Sequence, residues 1–91
     1  MTTIEQIFTL INKVGLHARP ASLLVQTAAR FTSSITLTAN GRVADAKRIL
    51  QVLQLGAEYG AEVVVHADGD DAAEAVETIG TLISQRFNEP E

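Results

Sequence analysis

Cysteine is absent from this chain of 91 residues, which removes disulfides and thiolate metal sites from consideration. Histidine occurs only twice, at His17 and His66, and nothing in the pattern suggests that the two meet, so no metal site is expected. Positive charge is scarce: seven Lys and Arg stand against eleven Asp and Glu, for a net charge of −4. A nucleic-acid binder usually carries a basic face, so nucleic acid is not an expected partner. No apolar run approaches membrane-spanning length, and membrane insertion is not expected. The opening MTTIEQIFTLINKVG lacks the basic-then-apolar pattern of a secretory signal, which makes a cytoplasmic location the default expectation.

What is present suits one folded domain over residues 1–91: 46% of residues are hydrophobic and 20% charged. There is no repeat, linker or low-complexity segment. IEQIFTLI reads as a strand broken by NKVG. Ala21, Leu24, Val25 and Ala28 fall at i, i+3, i+4 and i+7, a helix with one buried stripe. SITLTANGRVAD alternates on either side of Asn40-Gly41, a strong hairpin signal. KRILQVLQLG reads as a short helix, with Gly56 where a helix end favours glycine. AEVVVHA is a valine-rich strand, with His66 expected on its exposed side. DGDDAAEAVETIGTLISQRF reads as a long helix with Val76, Ile79 and Ile83 inward and Asp71 and Glu74 at capping-box spacing. NEPE is expected to be loose. The order β-α-β-β-α-β-α with a hairpin predicts an α+β fold: four largely antiparallel strands with three helices on one face.

The stretch VGLHARPAS carries the chemistry. The helix stripe beginning at Ala21 places the helix start near Ala18 and His17 at its N-cap. The first N–H groups of a helix have no partner within it, and the helix dipole adds positive potential there. Such an end favours an anion. Pro20 fits the first turn, where its missing N–H costs nothing. A neutral imidazole placed there is a nucleophile. A phosphoryl group accepted there would meet the Ala18 and Arg19 N–H groups and the Arg19 guanidinium. Position alone leaves two readings open, this one and a weak cap or surface histidine.

GLHARPA resembles the active-site signature of HPr, the histidine-containing phosphocarrier family of the phosphoenolpyruvate-dependent phosphotransferase system. NG in the hairpin, LG after the short helix and GAEVVV at the last strand extend the likeness over nearly the whole chain. The resemblance implies an open-faced β-sandwich that carries no cofactor and acts as a reactant in a relay rather than as an enzyme. His17 would accept a phosphoryl group on Nδ1 from enzyme I and pass it to an enzyme IIA domain for sugar uptake, with Arg19 as the active-site arginine. A monomer is expected.

Ile49, Val52 and Leu55 are spaced to face the sheet, and Leu50 and Leu53 lie on a neighbouring face. A broad core stripe accounts for that second face. The resemblance instead makes it a partner-docking surface centred on Leu50 and Leu53. Leu16, Ser22 and Leu23 would complete that surface, and Lys47, Arg48 and Arg30 would rim it. Many family members have serine where Arg48 stands, so control by phosphorylation of that serine is not expected. Val14 stands where the family often has a polar residue, and Gln26 and Ala29 replace lysines. The missing serine and the sparse lysines keep a second role open, in a regulatory, nitrogen-type or dihydroxyacetone kinase relay. A non-catalytic regulator is the third reading.

Overall fold

The computed structural model describes residues 2–90. Strand β1 (Thr3–Thr9) leads into helix α1 (Ala18–Ala28), then strands β2 (Ser34–Ala39) and β3 (Arg42–Asp45), helix α2 (Ile49–Gln54), strand β4 (Glu62–Asp68) and helix α3 (Ala72–Ser84). The expected element order is therefore observed. The strands form one sheet in the order β1-β4-β2-β3, and every pairing is antiparallel. All three helices lie on one face of it, as expected.

Side-chain alternation explains which face they cover. Val63, Val65 and Ala67 of β4 and Ile35, Leu37 and Ala39 of β2 point into the core, where Leu24, Val52, Leu55, Val76, Ile79 and Ile83 meet them. The intervening residues face outward. There His66 pairs with Glu5 of β1, Nδ1 to Oε2 at 3.1 Å, half in solvent. Asn40 and Gly41 both adopt positive φ, the geometry of a two-residue hairpin turn. The same turn closes the far end of α2. Asn40 Nδ2 donates to the carbonyls of Leu55 and Gly56 (3.0 and 3.1 Å), and Arg42 donates to that of Gln54 (2.8 Å). The chain ends α2 at Gly56 with φ 61°, as its position in the sequence suggests.

Three expectations are corrected. Ile49 was expected against the sheet, but it is 36% exposed; only Val52 and Leu55 are buried, because six residues of helix present too narrow a stripe for three inward side chains. The Asp71 carboxylate makes no capping bond to its own helix. It reaches across to the turn between α1 and β2, accepting from the Thr32 and Ser33 backbone N–H groups, each at 2.9 Å, and from both hydroxyls. NEPE is also not loose where it is described. Arg86, Phe87 and Asn88 form a left-handed turn after α3, with φ of 57°, 53° and 61°. Three such residues are strained for non-glycine side chains. Complete burial of Phe87 offsets that cost with about 1.5–3 kcal/mol. Glu89 is consequently carried back toward α1, while Glu91 lies outside the described residues.

The Ser33 hydroxyl and the Thr32 amide, followed by the remaining bonds, hold the Asp71 carboxyl at about 2, below its ordinary 3.8. The unfolded chain thus takes up this proton at higher pH than the folded one. The stabilisation is complete above the ordinary value and is lost as pH falls through about 2. Urea unfolding of wild type and Asp71→Asn should show a difference in midpoint that is constant between about pH 7 and 5, begins to narrow below about pH 4 and closes only as pH falls through about 2. A difference that persists at the lowest pH would contradict this assignment.

Candidate functional site

Helix α1 begins at Ala18 with His17 as its N-cap, as the sequence suggests. The His17 carbonyl accepts the first helical bond from the Ala21 N–H at 2.8 Å. No side chain caps this end, and His17, Ala18 and Arg19 are all exposed. Pro20 is buried at the third helical position, where it supplies no N–H and keeps the turn stiff. The imidazole thus stands at an open helix start, with the Arg19 side chain in the same turn.

The loop before His17 is held from both sides. Gly15 has φ 64°, and a Cβ there would lie 2.5 Å from the Ala57 carbonyl oxygen and 2.6 Å from Glu58 Cα. The backbone needs glycine for both reasons. Next to it the Leu16 N–H donates to the Ala57 carbonyl at 2.9 Å. Behind the loop, buried Asn12 donates Nδ2 to the Gly15 carbonyl at 2.8 Å and to Glu89 Oε1 at 3.0 Å. The Leu16 bond joins the β1–α1 connection to the segment after α2, and Asn12 ties the same loop to Glu89. His17 and Ala18 therefore share an open cleft with Leu53, Gly56, Ala57 and Glu58.

The surrounding candidates divide. Leu50 is 70% exposed. Leu53 and Leu23 are half-buried and pack on the edge of the core, so they present only part of their surface. Ser22 is half-buried and accepts from Gln26 at 3.1 Å. Leu16 is only 4% exposed, so its expected place on a docking surface is corrected. The backbone bond at Ala57 turns its side chain into the core. Lys47 is not a free rim charge either: it is half-buried, and its Nζ donates to the Phe31 carbonyl at 2.7 Å. Arg48 is solvent-facing at the N-cap of α2, 3.8 Å from Asp45. Arg30 lies over the Phe31 ring. Arg19 approaches Glu89 Oε2 at 3.8 Å.

Sequence reasoning missed Asn12 and Glu89. Asn12 reads in NKVG as a strand breaker, and its burial follows only from the fold. Glu89 sits 70 positions from Arg19, and no local pattern links them. Among the described residues no group of three or more His, Cys, Asp or Glu is placed to hold a metal, and no helix is long and apolar enough to cross a membrane.

Fold and site together define a class: an open-faced β-sandwich that presents one histidine at an uncapped helix start. Comparison with known proteins narrows it. The family described as "PTS HPr component phosphorylation site" matches residues 4–85. The Phosphocarrier protein HPr of Cupriavidus necator is 45% identical over 83 residues, 91% of this chain and 93% of that protein. That of Xylella fastidiosa is 42% identical over 86 residues, 94% and 97% of the two. The crystal structure of HPr-C-His from Thermoanaerobacter tengcongensis superposes with a TM-score of 0.93 at 40% identity, covering 97% of this chain and 99% of that one. The chain belongs to the HPr phosphocarrier family of the phosphotransferase system.

Gly15→Ala should cost at least about 1–3 kcal/mol in urea unfolding, from the left-handed backbone and the contact with Ala57 and Glu58. Amide NMR shifts should move at both Ala18 and Glu58, since one approach holds both segments. Shifts confined to the Gly15 loop would show that the two segments are not coupled.

Proposed function

We propose that this chain carries phosphoryl groups for sugar uptake, accepting them on His17 Nδ1 from phospho-enzyme I and passing them to an enzyme IIA domain. The observation that carries this reading is the exposed imidazole at the uncapped start of α1, with Arg19 in the same turn. The Nδ1 lone pair forms the new N–P bond as the donor's N–P bond breaks, and that electron pair returns to the donor ring. The other ring nitrogen keeps its proton throughout, so no acid or base is consumed. The Ala18 and Arg19 N–H groups and the guanidinium receive the charge of the transferred group. The chain is a reactant, catalysis comes from its partners, and it works as a monomer.

Leu50 is the apolar centre of the partner surface in this reading, with Leu53, Leu23 and Ser22 beside it. Arg48 supplies the rim charge, and such rims guide encounter more than they add affinity. Lys47 contributes less, because its ammonium is engaged by the Phe31 carbonyl. Arg48 also removes the hydroxyl through which a serine kinase would switch the carrier off.

Incubation with enzyme I and labelled phosphoenolpyruvate should add one acid-labile phosphate. His17→Ala should abolish it and His66→Ala should retain it; label on His17→Ala at the wild-type level overturns the reading. Leu50→Ser should slow transfer from enzyme I while changing stability by less than about 1 kcal/mol, as at other surface positions. An unchanged transfer rate would remove Leu50 from the docking surface.

A further inference from the structure

The open face of the sheet, turned away from the helices, carries an order that strand alternation alone does not explain. Its outward positions hold three apolar residues, Ile7, Val64 and Val43, and the strand register sets all three in one row. Ile7 of β1 lies opposite Val64 of β4, Val64 opposite Thr38 of β2, and Thr38 opposite Val43 of β3. The row therefore crosses all four strands, with only the methyl-bearing Thr38 between its apolar members. Ile7 is 58% and Val43 67% exposed. Single apolar residues on a surface are ordinary, and the solvent side of an antiparallel sheet is usually polar. A continuous row is neither, and such patches mark contact surfaces.

The rows on either side are acidic. Glu62 precedes Val64 on one side. On the other, Glu5, its partner His66 and Asp45 share the next row, and Asp68 lies beyond them. Among the described residues no Lys or Arg takes an outward strand position. Arg42, the one Lys or Arg within a strand, is in register with buried Ala39 and bonds to the Gln54 carbonyl on the helix side.

We propose that this face docks a protein partner through a basic amphipathic helix. Four strands place the row across about 14 Å. Apolar side chains at i, i+3, i+7 and i+10 of a helix share one face and span about 15 Å, in nearly the same steps as Ile7, Val64, Thr38 and Val43. Lys or Arg on both flanks of that helix would meet Glu62 on one side and Glu5 and Asp45 on the other. A second copy of this chain fits poorly, because it would bring acidic rows against acidic rows, and an anionic lipid surface is repelled by the same carboxylates. The His17 cleft lies among residues of the helix layer and its loops, so a partner held on the open face leaves it accessible.

The probe is a synthetic helical peptide with leucine at those four spacings, lysine on both flanks and alanine elsewhere. Titrated into isotope-labelled protein, it should shift the Ile7, Val64 and Val43 amides in NMR spectra and leave those of Ala18 and Arg19 in place. Ile7→Thr and Val43→Thr keep the charge and suit a strand. Each should weaken binding about three- to tenfold, as loss of a buried methyl or ethyl group does. Glu62→Gln should weaken it too and flatten its salt dependence. Equal affinity for the wild type and both threonine variants overturns the proposal, since only the general attraction of an acidic chain for a cationic peptide would remain. So do shifts confined to the α1 and α2 side. Self-association of the protein alone that Ile7→Thr abolishes would give the face to a second copy, and binding to phosphatidylglycerol vesicles that Val43→Thr abolishes would give it to a membrane; either result overturns the proposal.

Discussion

The approach of Gly15 and Leu16 to Ala57 holds the histidine end of the molecule together. Two backbone segments lie close enough there that a single methyl group would collide with both Ala57 and Glu58. The Leu16 amide bonds to the Ala57 carbonyl, and a few residues away Leu10 and Gly60 or Ala61 exchange two more backbone bonds. Because these bonds join two connections rather than two strands, the start of α1 is fixed relative to the end of α2. The imidazole of His17 and the side chain of Leu53 then line one cleft, although they come from different helices. In the proposed relay such rigidity would leave little ordering to be done at each encounter.

Two carboxylates do related work at opposite ends of the sandwich. Asp71 ties the turn before β2 to the start of α3, with backbone N–H groups and hydroxyls as its partners. Those donors are fixed in charge, so the tie is permanent at neutral pH. Glu89 is partnered by the buried Asn12 amide and by the solvent-exposed Arg19 guanidinium. A set of short bonds from backbone and hydroxyl donors makes a brace, whereas a 3.8 Å approach of an exposed cation is a weaker contact. The difference follows from the chemistry of the donors rather than from the carboxylates themselves.

Much of the fold was legible in the sequence because local patterns and tertiary packing agree. The buried stripe of α1, the valine alternation of β4, the Asn40-Gly41 turn and Gly56 after α2 each demand one local geometry, and each is observed. His17 at the N-cap was legible for the same reason: a helix start is set by the residues that follow it. The misreadings share a cause. Asp71 stood at capping-box spacing, but two backbone amides from residues 32 and 33 offered its oxygens more than its own helix did. Leu16 looked available beside the histidine, and a backbone bond turned it inward. Asn88 and Glu89 looked loose because the plug that orders them, Phe87, finds its pocket only in the assembled core.

The sequence by itself therefore determined the elements, their order, the antiparallel hairpin and the placing of one histidine at the start of a helix. Each depends on residues within a few positions of one another, where propensity and periodicity act directly. The tertiary structure alone decided which polar groups meet across the molecule: Asp71 with Ser33, Asn12 with Glu89, and Glu89 with Arg19. It also decided that Leu50 is left in solvent while Leu16 is not. Such pairings join positions distant in the chain, and their energies depend on burial and distance, which exist only once the sheet and helices have closed on a common core.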